Sequence, residues 1–238
     1  MGQYYKSIVL KNDWENKRLP IRAALLPIDF DNGAKLMEHS YVGNDYVRAF
    51  IHLIDKLDED KSGVPCVWCG DYADTHDTKG MPVIERINPS SLKKEIVGGL
   101  QTYYEANGWI YKHTSSDKSD EYNDTLKLIS DFKNHDYKYV INHTKKEYVE
   151  IPEDDDSTFV IHPLPILISD GCGRGSGDYN DEFCVNPKVD VDKQVFERKH
   201  NAKFIGAWAY DTLSVTNDIT DTVGYNKIDW ENEYEIYP

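Results

Sequence analysis

Between Asn44 and Leu57 the apolar residues Tyr46, Val47, Phe50, Ile51, Ile54 and Leu57 recur three and four positions apart. That spacing puts them on one stripe of an α-helix. Asn44 stands where an N-cap belongs, with a side-chain oxygen able to accept from the first amide groups of the helix. The stretch "DEDKSGVP" ends it. Such a helix fits a chain whose other segments read mainly as strands.

"YYKSIVL" at 4–10 and "CVWC" at 66–69 have β-branched and aromatic strand composition. "YKYVI" and "EYVEI" flank "NHTKK" and predict a hairpin. "TFVIHPLPILIS" reads as a strand whose Pro163 and Pro165 suit an edge or a bend. "FIGAWA" and "TLSV" predict a second hairpin around Tyr210 and Asp211. Further helices are predicted from Ser90 to about Ala106, stopped by Asn107-Gly108, and from Asp120 to Lys133. Helices gathered in the middle and strands in the second half predict an α+β fold rather than alternating βαβ units. The expectation is a single domain over 1–238, an antiparallel or mixed sheet with about three helices packed on it. Residues 218–238 are expected to be a loosely attached acidic tail.

Charge narrows the partners. Against 42 acidic residues stand 27 basic ones, a net −15, and no lysine/arginine run exceeds two, so double-stranded nucleic acid is not expected as a partner. No apolar run approaches the length of a membrane span, and the start "MGQYYKSIVLKNDW" lacks the pattern of a signal peptide. A cytoplasmic chain is expected, with its four cysteines as reduced thiols. "CVWCG" with Cys172 and Cys184 is half of a zinc knuckle at best. Cys66 and Cys69 lie three apart in a predicted strand and should face opposite sides. No metal or other cofactor is expected, and no nucleophile-and-base pair can be named.

The stretch "ISDGCGRGSGDYNDE" is the main candidate for chemistry. Gly171, Gly173, Gly175 and Gly177 alternate around Arg174. Alternating glycines free the backbone, so successive amides can form an anion-binding nest beside the guanidinium. No Gly-Lys-Ser/Thr follows, and Asp178 stands where the dinucleotide fingerprint needs its third glycine. The loop can be read as a plain connection, as a ligand cradle, or as an oxygen site for Ca²⁺ or Mg²⁺ built on Asp170, Asp178, Asp181 and Glu182. As a ligand cradle, Gly171–Gly177 and Arg174 would take a phosphate. Tyr179, Tyr72 or Trp208 would lie against the apolar part, and Asp71, Asp74, Asp178 and Asp211 would accept hydrogen bonds. Core remains the default place for Trp68 and Trp208.

"MGQYYKSIVL", "KLMEHSYVGNDYV", "VWCGDYAD", "YVINHTKKEYVEI", "IHPLPILISDGCGRGSGDY" and "GAWAYDTLSV" follow one another over nearly the whole length. In these segments the chain resembles a family of phage and bacterial proteins that begin "MGQYYK". The resemblance implies no particular activity. In that family's pattern other residues usually occupy the positions of Cys69 and Cys172, which weighs against zinc, and arginine is common at the position of Tyr210, which weighs against an anion site that needs a second arginine there. By analogy with phage accessory proteins, the leading expectation is a binding protein, with an anti-defence role, that holds a small anionic, nucleotide-like ligand without turnover. The alternatives are a metal-dependent phosphodiester hydrolase and an acidic protein inhibitor of a host factor. Oligomeric state is not legible in the sequence.

Overall fold

The computed structural model describes residues 4–12, 21–70, 120–154, 159–170, 185–187, 196–198, 204–231 and 234–235. In chain order the strands and helices are β1 (Tyr5–Leu10), β2 (Ile21–Leu25), α1 (Leu36–His39), α2 (Asp45–Leu57), β3 (Val64–Gly70), α3 (Asp120–Leu128), β4 (Tyr139–Asn142), β5 (Glu147–Glu150), β6 (Phe159–Val160), α4 (Pro163–Leu167), β7 (Ser169–Asp170), β8 (Val185–Pro187), β9 (Phe196–Arg198), β10 (Thr212–Thr216), β11 (Asn226–Lys227) and β12 (Tyr234–Glu235). Eight strands form one mixed sheet in the order β11-β5-β4-β10-β3-β1-β2, with β7 added to β3. The β5–β11 and β3–β7 pairs are parallel and the rest antiparallel. The fold is α+β.

Every residue of β3 is buried, as expected of a central strand covered on both faces. Its alternation splits the apolar set. Val64, Cys66 and Trp68 join Tyr5 and Val9 of β1, Leu213 and Val215 of β10, and Val140 and Val149 of the hairpin in one core. Helix α2 lies on that face and buries Tyr46, Val47, Phe50, Ile51 and Ile54. Asn44 caps it, its Oδ1 accepting from the amides of Tyr46 at 2.9 Å and Val47 at 3.4 Å. Both the helix and its cap match the sequence expectation, as do β1, β3 and the hairpin Tyr139–Glu150.

Three expected elements differ. The segment "TFVIHPLPILIS" is not one strand but β6, α4 and β7 in succession. Its prolines occupy the first turn of α4, where a missing N–H costs nothing. His162 caps that turn, with Nδ1 accepting from the Leu164 amide at 3.1 Å. "FIGAWA" is a run of turns rather than a strand. Gly206 and Tyr210 take positive φ (63° and 67°), and the amides of Gly206, Trp208 and Tyr210 donate to Ile166, Leu167 and Cys66 instead of to a hairpin partner. Helix α3 stops at Leu128, and a 3₁₀ turn over Phe132–Asn134 replaces its expected end. The acidic segment from Asp218 supplies β11 to the sheet edge and β12 to β6. Ile228 is buried and Trp230 packs on the core. The predicted helix from Ser90 to Ala106 lies outside the described residues.

Candidate functional site

Of the residues expected to hold a ligand, Asp71, Tyr72, Asp74, Gly171, Gly173, Arg174, Gly175, Gly177, Asp178 and Tyr179 lie outside the described residues. The strand ends leading to them are close together: β7 runs parallel to β3, with Asp170 paired to Cys69 and β3 ending at Gly70. Trp208 is buried, and its Nε1–H donates to Glu147 Oε2 at 2.8 Å. Asp211 is buried too, and Asn142 Nδ2 donates to its Oδ2 at 2.9 Å. The Tyr210 hydroxyl donates to Asp170 Oδ2. Trp208 and Asp211 therefore tie the 204–211 turns to the hairpin, and the aromatic face of Trp208 is spent on the core. Cys66 and Cys69 are both buried, with Cys66 alone in the core under α2, as their alternation requires. Burial pushes the Cys66 thiol well above its ordinary range.

One serine and one histidine do meet. Ser214 Oγ lies 2.7 Å from His143 Nε2, whose Nδ1 is 2.9 Å from the Tyr225 hydroxyl. Ser214 is only 6% exposed in mid-strand, out of a substrate's reach, so the contact acts as a tie between β10, the hairpin turn and Tyr225.

A cleft of about 420 Å³ opens elsewhere, between the N-terminal half of α2, the 135–138 segment and the 151–154 turn. Backbone bonds from the Val42 amide to Val160 O and from the His162 amide to Ser40 O bring His162 to the same wall. Gly43 closes one end. Its φ is +81°, a backbone conformation that favours glycine, and a Cβ there would displace the Asp154 carboxylate, 2.3 Å away at Oδ2. The lining mixes charge: Arg48, Lys138 and His135 against Asp136, Glu153 and Asp154.

Two buried donors on this lining have no partner among the described residues, His162 Nε2 and Arg48 Nε. Because His162 Nδ1 accepts from Leu164, the proton of the neutral ring sits on Nε2. Burial holds that imidazole down to about 3, so it is neutral at physiological pH. Arg48 spends Nη2 on Lys133 O and Asp136 Oδ1, both at 3.0 Å. An unpaired buried donor costs about 1–3 kcal/mol.

A second cluster borders the cleft through His135 and Tyr137. His52 Nε2 is 3.0 Å from Asp131 Oδ1, and His135 Nε2 is 3.1 Å from Asp131 Oδ2. The two imidazoles stack with centroids 4.3 Å apart. The local causes are plain. Asp131 and His135 flank the three-residue 3₁₀ turn, which turns their side chains to one side. His52 comes from α2, on the row that also carries Arg48 and Lys56, spaced four apart. Lys56 Nζ lies 3.8 Å from Asp131 Oδ2. The His52 and His135 N–H groups hold the Asp131 carboxyl down to about 2. His52 Nδ1 is 2.9 Å from the Tyr137 hydroxyl, and burial, together with an Asp55 carboxylate close enough to act on that hydroxyl, raises its pKa. None of these residues was singled out from the sequence. The available signal was the spacing of Arg48, His52 and Lys56 down one helix edge and of Asp131 and His135 across a turn.

Comparison with family models, with curated proteins and with solved structures finds no match to this chain. No described helix is long and apolar enough to cross a membrane.

Proposed function

We propose that this protein binds a small polar, nucleotide-like ligand in the cleft between α2 and the 151–154 turn, and returns it unchanged. The observation that carries the reading is the pair of buried donors without a partner among the described residues, His162 Nε2–H and Arg48 Nε–H, on side chains that line the cleft. Buried donors are rarely left unpaired without a reason. A ligand acceptor, such as a carbonyl or ring nitrogen, would pair such a donor once a side-chain shift uncovers it to the cleft, while Glu153 and Asp154 would take the ligand's own donors. A nucleobase edge offers both kinds of group side by side, which an inorganic anion does not. The net charge of −15 also disfavours a bare anion. Arg174 and the glycines from 171 to 177 remain the proposed cradle for a phosphate, on sequence grounds. An anti-defence role in a phage-type setting rests on analogy with phage accessory proteins alone.

The test is mass spectrometry of what the purified, heat-denatured protein releases, followed by calorimetry with the compound found. His162→Asn suits the comparison, because asparagine still caps α4 but lacks the Nε2 donor. The expected result is an intact ligand whose affinity drops about tenfold in the variant, the scale of one buried hydrogen bond. Release of a cleaved product would favour the hydrolase, and equal affinity in the variant would remove the cleft from the account.

A further inference from the structure

We propose that His52, Asp131 and His135 form a binding site for one divalent transition-metal ion, zinc being the best match. The coordinating atoms would be the two imidazole Nε2 atoms and a carboxylate oxygen of Asp131. These three donors already lie within 4.8 Å of one another. Zinc bonds to nitrogen and oxygen run about 2.0–2.2 Å, so two ligands of a tetrahedral ion stand about 3.4 Å apart. Closing the remaining gap asks for movements of about an ångström, no more than side-chain rotations supply. The movable partners are the exposed ones: the His135 and Asp131 side chains are 41% and 46% exposed, while His52 is fully buried. One ligand is fixed, two can swing in, and the open flank leaves coordination positions for water.

The surroundings favour a metal over a plain hydrogen-bonded knot. Metal-ligating histidines usually donate their other ring N–H to an orienting acceptor. Such an acceptor stands at His52 Nδ1, the Tyr137 oxygen at 2.9 Å. When Nε2 turns its lone pair to the ion, the ring proton moves to Nδ1 and is given to Tyr137, whose own proton would turn toward the nearby Asp55 carboxylate. Nothing in that rearrangement leaves a buried donor or acceptor unpaired. Lys56, 3.8 Å from the carboxylate, is the positive charge an ion would displace, and its partly exposed side chain can swing into water. Two imidazoles with a single carboxylate select zinc, cobalt or nickel over magnesium and calcium, which prefer all-oxygen sites. The proposal stands apart from the cleft ligand: it uses none of the cleft's partnerless donors and needs only the metal.

The experiment uses the full chain, stripped with chelator and titrated with Zn²⁺ by calorimetry and with Co²⁺ by visible absorption. Cysteines and histidines elsewhere in the chain can also take metal, so the difference between variants carries the result. Asp131→Asn and His135→Gln, both at exposed side chains, should each bind one equivalent fewer than the parent and lose its Co²⁺ bands. Tyr137→Phe should keep the site but weaken it about 10–100-fold, the usual effect of removing an orienting partner. His162→Asn should bind metal as the parent does, which separates failure of the cleft reading from failure of this one. A parent that takes up no metal, or variants with its stoichiometry and spectrum, would overturn the proposal.

Discussion

The hydroxyl of Tyr46 is inserted into the sheet. Ser7 of β1 stands opposite Leu25 of β2, yet the Ser7 amide donates to Tyr46 Oη at 2.8 Å, and that hydroxyl lies 3.1 Å from Leu25 O. A side chain from α2 thus bridges a rung of the β1–β2 ladder. Tyr46→Phe keeps the ring, which packs 5.1 Å from Trp68 and 5.0 Å from His39 between centroids, so no cavity opens. It leaves one backbone donor and one acceptor buried and unpaired, each costing about 1–3 kcal/mol. Partial closure of the two strands recovers some of this, so the expected loss is about 2–4 kcal/mol, a large part of a domain's usual 5–15 kcal/mol. Urea unfolding followed by fluorescence would measure it, with an unchanged denaturant slope showing that only stability moved. A loss below about 0.5 kcal/mol would show that the strands pair directly once the hydroxyl is gone, and would refute the bridging role.

Ser7→Ala should leave stability unchanged or raise it, because the Ser7 hydroxyl is buried without a partner among the described residues; a loss above about 1 kcal/mol in the same urea assay would contradict this. Asn44→Ala should cost about 1 kcal/mol through lost capping of α2, whereas Asn44→Asp, read by the same unfolding, should cost less. The buried His39 and His162 are held neutral, down to about 4 and about 3 from an ordinary 6.5. The unfolded chain therefore binds the extra protons first: their contribution is complete above pH 6.5 and is lost as pH falls, about 3 kcal/mol for each by pH 4. Unfolding free energies measured from pH 7 to 5 should fall with decreasing pH, and a flat profile would refute the assignment.

Helix α2 was legible because cap, stripe and stop agree over one continuous segment, and β3 because a strand buried on both faces is apolar throughout. The elements that escaped detection draw their structure from partners distant in sequence. β2, "IRAAL", has no strand composition beyond Ile21 and becomes a strand because β1 offers it an edge. The two prolines of α4 look like strand breakers, but they also fit a helix start, and only the bonds from Gly206 and Trp208 to the α4 carbonyls show which role applies. At the candidate site the gap is wider still. His52 and Asp131 are 79 residues apart, and no local pattern announces that they meet. The glycine loop drew notice because its signal is local, and chemistry assembled from α2 and a 3₁₀ turn leaves only scattered polar residues in the sequence.

His52 nevertheless breaks a rule that the sequence could have flagged. It sits beside Phe50, Ile51, Leu53 and Ile54 on the buried part of α2 and is itself fully buried. An apolar residue there would complete the stripe at no desolvation cost, whereas an imidazole must find partners for both nitrogens. The protein meets that need with Asp131 on one side and Tyr137 on the other, two more polar groups drawn toward the core. Packing alone does not call for such a chain of dependents, since well-packed apolar replacements for buried polar groups are often neutral or stabilising. The seam makes physical sense if one imidazole nitrogen must stay aimed at a fixed point beside the open cleft. Arg48 and Lys56 flank His52 along the helix and anchor the 131–136 segment from either end, at Asp136 and Asp131. That double anchoring fixes the turn carrying Asp131 and His135 relative to α2. A backbone held in this way keeps Asp131 and His135 beside His52, while their exposed side chains stay able to swing onto an ion.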